Sequence, residues 1–410
     1  MVTVLLACCA LLGAGLAGAA PGVTAEPAGA PPLPKAGRWT PVAPGVRYTA
    51  FDSPAAKGPV RAHVLAVDLA RRGVVVDLLH PGVVAARAPL SRLADARGAV
   101  GGVNGDFFNL SEAQHPGVEA TGAPVGPAIA GGRVLKAAVP EGQRFGPRLP
   151  PGTSTRDVLG VGFDGRARLD RLTLDGSVSL PAGQLELGGL NQYALPVGSV
   201  GLFTPAWGAA SRVRATCGTD TDRGAPCSED THEVTVRQGR VVAVAGSPGG
   251  GQIAEGDQVL VGREAGARAL RALSVGDRVA VRHRLLADRA RAPFRFAVGG
   301  FPVVRGGQPL AGLDTVTAAV RTAAGIRDQG RTLLLLALDG SPAYRGGLSV
   351  AEAADLMRSL GSVDAFCLDG GGSSTLVARE PDTQTVTVRN HPSGGAERLV
   401  PNGIGVFLRR

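Results

Sequence analysis

The chain has 410 residues, of which 44% are hydrophobic and 19% charged, a composition typical of a globular protein and not of a disordered one. Its formal net charge is +9, but no basic run is longer than two residues and aromatic residues make up only 4%. A nucleic-acid-binding surface with stacking platforms is therefore not expected, although a basic surface would attract an anionic substrate.

The beginning of the chain is typical of an exported protein. Residues 4–19 form an apolar run followed by small residues, which is shorter than a membrane-spanning helix requires. We predict a signal peptide over 1–20, no stable membrane span, and a protein that is secreted or held in the cell envelope. A lipid anchor at the "LLAC" of residues 5–8 is the weaker alternative, because the apolar run continues past Cys8.

Composition also divides the rest of the chain. Residues 21–45 are rich in Pro, Ala and Gly and are predicted to be a linker, followed by one catalytic domain over 46–410. Within that domain, 155–297 is a series of strand-like runs without a convincing helix pattern. This β-rich middle region is either a subdomain or a large insertion.

Three cysteines remain after the predicted signal peptide. Cys217 and Cys227 enclose a short polar loop, and because export permits disulfides we predict a bridge between them. A metal site there is the weaker interpretation, since no second Cys or His pair lies nearby in the sequence. Cys367 lies inside an apolar strand and is interpreted as a small buried hydrophobic residue.

The remaining pattern predicts an α+β fold with a strand-rich mixed sheet and a few flanking helices. Two strands are predicted in "VRAHVLAVDLA" and "GVVVDLLH", followed by a short helix in "PLSRLADARGAV". The 61 glycines and 30 prolines indicate many turns, which agrees with a strand-rich fold.

The last hundred residues predict a strand–helix–strand unit. "TLLLLALDG" ends in Asp339 and Gly340, and "VDAFCLDGGG" continues past Asp369. Between them, Ser349 and Glu352 form a capping-box pattern at the start of a helix that ends at Gly361. Because a helical crossover usually joins parallel strands, Asp339 and Asp369 are expected side by side at one sheet edge, if the two strands are neighbours.

Three polar stretches carry the candidate chemistry. Paired carboxylates can act as nucleophile, base or acid at a sugar carbon, a glycine-rich turn can bind an anion through its backbone N–H groups, and an arginine can hold phosphate oxygens in a bidentate manner. Each stretch also has a purely structural interpretation, as an Asp-Gly turn, a close backbone approach or a surface arginine. The candidates are Asn104, Asp106, Asp339 and Asp369 as catalytic residues, and Arg321, Thr322, Gly370, Gly371, Gly372, Ser373 and Ser374 as substrate-binding residues.

Taken in order, four stretches resemble the phosphodiester glycosidase family, in its secreted bacterial branch. They are "GGVNGDFFN", "RTAAGIRDQGRTLLLLALDG", "GGLSVAEAADLMRSLGSVDAFCLDGGGSSTLV" and "ERLVPNGIGVF". The resemblance covers about residues 60–410 and is strongest from Gly299 onward. It implies hydrolysis of a sugar-1-phosphodiester, such as a GlcNAc-1-phosphodiester, at the anomeric carbon, and the candidate residues above match the family's motifs position by position.

The resemblance leaves alternatives open. It implies no cofactor, but Asp106, Asp339 and Asp369 could instead hold a divalent cation for cleavage of the P–O bond. A second alternative is a non-catalytic envelope protein that binds polysaccharide, which the few aromatic residues make less attractive. The expected partner is a sugar-phosphate glycopolymer or a small sugar phosphodiester.

Overall fold

The computed structural model describes residues 37–181 and 183–409. The predicted signal peptide and the linker residues 21–36 lie outside these residues. Across the described ranges, no helix is both long enough and apolar enough to cross a membrane.

The first part of the chain alternates strands with one helix. Helix α1 is Leu90–Arg97, where a short helix was predicted, and it ends at Gly98 in the left-handed conformation (φ 67°). The strands are β1 Thr40–Ala43, β2 Val46–Ser53, β3 Val60–Asp68, β4 Val74–Leu79, β5 Gly101–Asn104, β6 Ala128–Ala130 and β7 Arg133–Lys136.

The middle part is almost entirely β-structure, as predicted. It contains one helix that was not predicted, α2, at Ala265–Leu270. The strands are β8 Asp157–Gly162, β9 Ala167–Leu180, β10 Gly183–Leu190, β11 Val200–Phe203, β12 Thr231–Arg237, β13 Arg240–Ala245, β14 Asp257–Arg263, β15 Ala280–Ala287 and β16 Phe294–Gly299.

The last part contains helix α3, Val350–Ser359. Both bonds of the predicted capping box are present: the Ser349 side chain accepts from the backbone N–H of Glu352, and the Glu352 carboxylate accepts from that of Ser349. The strands are β17 Phe301–Arg305, β18 Gln308–Pro309, β19 Thr322–Arg327, β20 Thr332–Leu338, β21 Asp364–Leu368, β22 Leu376–Arg379, β23 Val386–Val388 and β24 Gly403–Leu408.

These strands form three sheets. The first sheet has the order β1-β2-β3-β20-β19-β21-β17-β18, and the third has the order β23-β22-β5-β24-β4. The second contains the middle region, with the order β13-β12-β14-β11-β10-β9-β8-β16-β6-β7 and β15 paired to β9. Neighbouring strands are antiparallel except β10 and β11. The largest hydrophobic cluster joins the first and third sheets, since it includes Val64 and Leu336 of one and Val103 and Ile404 of the other.

The strand-rich architecture and the few helices are confirmed, but "α+β" describes the fold only loosely because the three described helices are short. One boundary prediction is wrong. Thr40–Ala43 lies inside the predicted linker, yet it forms β1 and pairs with β2. The hairpin is possible because Gly45 between the two strands adopts a positive φ of 81°.

Candidate active site

The two strand-end aspartates lie at one edge of the first sheet, but they are not neighbours. β19 lies between β20 and β21 and is antiparallel to both, with Thr322 opposite Ala337 on one side and Leu368 on the other. The crossover through α3 therefore does join two parallel strands, with β19 between them. At roughly 4.8 Å per strand, Asp339 and Asp369 stand about two strand spacings apart, so the expected adjacent pair is wrong.

Asp369 lies where the first and third sheets meet. Its backbone N–H donates to the carbonyl of Gly105, which follows β5 of the third sheet, at 2.9 Å. Burial is the main influence on its carboxyl group and raises the pKa of Asp369 to about 7, against the opposing effects of the Ser373 hydroxyl and the Arg398 charge. The charge of Asp106 raises it further. Asp369 therefore titrates near neutral pH.

Each of the three positions after Asp369 requires glycine for a different structural reason. A Cβ on Gly370 would lie 2.6 Å from the Val320 carbonyl oxygen, and one on Gly372 would lie 2.4 Å from Nη2 of Arg398. Gly371 adopts a positive φ of 58°, which favours glycine. The turn is thus shaped to pass close to β19 and to accept the guanidinium group of Arg398.

The backbone N–H groups of this turn are largely used within the protein. The Gly370 N–H donates to Oδ1 of the preceding residue, Asp369, at 2.9 Å. The Gly371 N–H donates to the Val320 carbonyl at 2.7 Å. Ser373 and Ser374 donate to the carbonyls of Gly370 and Gly371. The predicted anion site made of backbone N–H groups is therefore not open in this arrangement.

Asn104 connects the three motifs. Its Nδ2 donates to the Asp369 carbonyl at 2.7 Å, while its Oδ1 accepts from the Thr322 hydroxyl at 2.8 Å and from the Thr375 N–H at 3.0 Å. Thr322 Oγ1 also lies 3.1 Å from Ser374 Oγ. All of these side chains are buried, so Asn104 and Thr322 orient the Asp369 turn from within the protein.

Asp106 is fully buried beside this network. Its Oδ2 accepts from the Gly126 N–H at 2.6 Å, and its Oδ1 has no hydrogen-bond partner. Burial disfavours the charged forms of both Asp106 and nearby Lys136, so it raises the pKa of Asp106 and lowers that of Lys136. A Cβ on Gly299 would lie 2.4 Å from Asp106 Oδ2, so the absence of a side chain at 299 makes room for this carboxylate.

Asp339 belongs to a separate group of side chains. Its Oδ1 accepts from the Ser341 N–H at 2.8 Å and its Oδ2 from the His391 N–H at 3.0 Å. Burial alone would raise the pKa of Asp339, but these hydrogen bonds and nearby His63 outweigh it and hold the pKa below its usual value. Asp339 is therefore ionised at neutral pH.

His63 faces Asp339 from β3. Its Nε2 lies 3.4 Å from Asp339 Oδ2, and its Nδ1 lies 2.7 Å from the Tyr48 hydroxyl. Burial lowers the pKa of His63 to about 4, despite the opposing charge of Asp339. The imidazole is thus neutral at physiological pH.

Arg321 is buried and makes bonds to backbone carbonyls. Its Nε donates to the Leu348 carbonyl at 2.9 Å and its Nη2 to the Thr317 carbonyl at 2.6 Å. These bonds engage the Nε–Nη2 edge of the guanidinium group, one of the two edges that can hold a phosphate in a bidentate manner. In this arrangement Arg321 ties the start of β19 to the segment before α3.

Sequence reasoning missed two side chains at these sites, His63 and Arg398. His63 lies in an alternating strand without a motif, and only its register opposite Ala337 of β20 brings it to Asp339. Arg398 lies in the quoted stretch "ERLVPNGIGVF", and that stretch was the only available signal for it.

The cysteines lie as the sequence predicts, and the acidic residues that the structure describes do not form a metal site. The disulfide between Cys217 and Cys227 is present, and Cys367 is free and buried. Over the described ranges, no group of three or more His, Cys, Asp or Glu side chains is arranged to hold a metal ion. Asp106, Asp339 and Asp369 thus do not form the ligand set that the cation alternative requires.

A cavity of about 500 Å³ lies beside Asp339. Its wall is formed mainly by the loop that follows β23, and it is large enough for a sugar-sized ligand. The lining residues are Asp339, Val388, Arg389, Asn390, His391, Pro392, Gly395, Ala396 and Glu397.

Comparison with protein families adds an independent observation. Residues 230–407 match the phosphodiester glycosidase family. The resemblance deduced from the sequence is therefore confirmed over this region, which includes Arg321, Asp339 and the turn after Asp369. Asn104 and Asp106 lie outside the matched region.

Solved structures with a similar fold are more distant. A hypothetical protein from Synechocystis is 20% identical with a TM-score of 0.68, and the match covers 89% of this chain but only 62% of that one. A candidate exported protein from Burkholderia pseudomallei is 25% identical with a TM-score of 0.64, covering 85% of this chain and 74% of the other.

A third structure is the catalytic domain of zebrafish N-acetylglucosamine-1-phosphodiester alpha-N-acetylglucosaminidase, auto-inhibited by its pro-peptide. It is 14% identical over 92% of this chain and 87% of that chain, with a TM-score of 0.45. No curated protein matches the chain.

Proposed function

We propose that this protein is a secreted or envelope hydrolase that cleaves the glycosidic bond of a sugar-1-phosphodiester and releases the free sugar. The observation that carries the proposal is the position of Asp369. It is a half-buried carboxyl group with a pKa near 7, at the junction of two sheets and within the family-matched region. A group that titrates near the working pH is suited to general acid–base catalysis.

The chemistry follows from the leaving group. Water attacks the anomeric carbon, the bond from that carbon to the phosphate oxygen breaks, and the phosphate departs with the electron pair. Because a phosphate is a weak base, it needs little protonation to leave. The protein must instead stabilise the positive charge on the sugar and accept a proton from water. We assign proton acceptance to Asp369, with Asn104 and Thr322 as the residues that orient its turn.

Asp339 is a second carboxyl group, and its pKa is shifted in the direction opposite to that of Asp369. Its pKa is lowered whereas that of Asp369 is raised, and such a divergence often separates the roles of two acidic groups. An ionised Asp339 at the wall of the 500 Å³ cavity would favour a developing positive charge on a bound sugar. Asp106 acts through its charge on Asp369.

The substrate class and location follow from the charge of the chain, its disulfide and one structural neighbour. A net charge of +9 favours an anionic glycopolymer or a small sugar phosphodiester. The disulfide and the candidate exported protein among the structural neighbours agree with export. A GlcNAc-1-phosphodiester is the first substrate to test.

Heavy-oxygen labelling tests the proposal. Hydrolysis of a GlcNAc-α-1-phosphodiester in H₂¹⁸O should place the label in the released sugar, as measured by mass spectrometry. Label in the phosphate would mean P–O cleavage and would contradict the proposal, and loss of activity in chelator would then favour the metal-assisted phosphodiesterase. Sugar binding without turnover of any sugar phosphodiester would favour the non-catalytic envelope protein.

The pH profile tests the role of Asp369. Because the carboxylate form accepts the proton, kcat/KM should rise with pH and level off above about 7, the pKa of Asp369. The profile should be measured with buffers of constant ionic strength. A rate that falls through this range would instead assign Asp369 as the acid.

A further inference from the structure

We propose that Arg398 is the cation that binds the phosphate group of the substrate. This inference rests on the proposed function. It is carried by contacts of Arg398 that differ from those of Arg321, the arginine that the sequence motifs favour.

Arg398 has no close counter-ion among the described residues. Arg398 is half-buried, yet within the described part of the chain no carboxylate oxygen lies within 4 Å of its guanidinium group, since it takes part in none of the ion pairs. Its side-chain contact is with a neutral group, as Nη1 donates to Ser373 Oγ at 3.3 Å. A partly buried guanidinium group without an anion is suited to accept one from a ligand.

Neighbouring residues anchor the segment that carries Arg398. The neighbouring Glu397 does not pair with it, because its Oε2 accepts from the Ser91 N–H at 2.9 Å and its Oε1 from the Ser91 hydroxyl. Val400 exchanges two backbone hydrogen bonds with Ala88. The segment is thus anchored before and within α1, while the Arg398 guanidinium group lies over Gly372, where a Cβ would be 2.7 Å from its Cζ.

Arg398 also lies close enough to Asp369 to influence its carboxyl group. Arg398 lowers the pKa of Asp369 through its charge, so the two groups share one electrostatic environment. The other phosphate candidates are largely engaged within the protein: two of the three guanidinium nitrogens of Arg321 donate to carbonyls, and four of the five N–H groups of the Gly370–Ser374 turn donate to protein oxygens. Arg398 would therefore hold the phosphate next to the carboxyl group that acts at the sugar.

Binding measurements separate this role from a structural one. Calorimetry should show that the wild-type protein binds GlcNAc-1-phosphate more tightly than free GlcNAc. Arg398→Gln should weaken binding of the sugar phosphate roughly 10–100-fold, the range for a charge-assisted hydrogen bond, and leave binding of GlcNAc unchanged. Arg398→Lys should be intermediate because it keeps the charge but loses the planar fork.

Arg284→Gln is the matched control, since Arg284 is exposed and paired with Asp175; it should bind both ligands like the wild type. Thermal melting should show that each variant is folded. Equal affinity of the wild type and Arg398→Gln for the sugar phosphate, or no preference of the wild type for it, would overturn the assignment. If Arg398→Gln loses the phosphate preference but the wild type hydrolyses no sugar phosphodiester, the assignment stands and the proposed hydrolase activity fails.

Discussion

Replacing Asp369 by asparagine is expected to reduce turnover of a sugar-1-phosphodiester by about 10²–10⁴-fold, the range for loss of a general acid–base group. Asparagine has nearly the same shape and can keep the turn after β21, but it cannot accept a proton at this pH. Steady-state kinetics should therefore show a fall in kcat with a smaller change in KM.

Asp364→Asn is the matched control for this variant. Asp364 begins the same strand that Asp369 follows, and its Oδ1 only accepts from the Gly306 N–H. We expect Asp364→Asn to keep wild-type turnover. Full turnover by a folded Asp369→Asn variant would remove Asp369 from the chemistry.

The same substitution should change the pH dependence of stability. The pKa of Asp369 is raised to about 7 in the folded protein from its usual value of 3.8, so the folded state holds this proton more tightly than the unfolded state does. The contribution of Asp369 to the free energy of unfolding is therefore greatest at low pH and falls as pH rises from about 4 to about 7. The Asp369→Asn variant has no titrating group at this position, so it does not lose this stabilisation as pH rises. The difference between its Tm and that of the wild type should therefore increase in favour of the variant from about pH 4 to about pH 7 and then remain constant.

The parts of the site that the sequence predicted are those set by local signals. The capping box at Ser349 and Glu352 and the end of each strand at Asp339 and Asp369 depend on residues close together in the chain. The pairing of β19 with β21 depends on residues far apart in the chain instead, and it places β19 between β20 and β21. "IRDQGRT" between two apolar runs was a hairpin signal, and the turn it forms at Asp328–Gly330 explains why β19 pairs beside β20.

The roles of the two arginines could not be read from the sequence for a related reason. Arg321 stands in a motif, but its partners are carbonyls of Thr317 and Leu348, the second of which is 27 residues away. Arg398 reaches the Gly372 turn from a segment that is anchored through Glu397 to Ser91, 306 residues earlier. In an arginine-rich chain, residue type alone does not separate a buried structural arginine from one that faces a ligand.

Removing the Glu112 carboxylate is expected to cause the largest loss of stability of any single substitution near the site. Glu112 is buried after the Asn104–Asp106 motif, and its carboxylate lies 2.5 Å from Nε of Arg214 and 2.6 Å from Nδ1 of His115. The Arg214 side chain is fully buried. Glu112→Ala leaves that charge without its partner, so the free energy of unfolding should fall by about 3–5 kcal/mol.

Chemical denaturation of Glu112→Ala and Asp175→Ala checks this expectation. Asp175 pairs with Arg284 at 2.7 Å on the surface, where both side chains are about half exposed or more, so its loss should cost only about 0–1 kcal/mol. Equal losses for the two variants would mean that burial does not govern the Glu112 pair. Because His115 Nε2 also lies 2.9 Å from the Ala225 carbonyl in the disulfide loop, Glu112 joins that loop to the segment that follows Asp106. A loss of turnover in Glu112→Ala that is restored at lower temperature would then reflect unfolding of this segment and not a role for Glu112 in the chemistry.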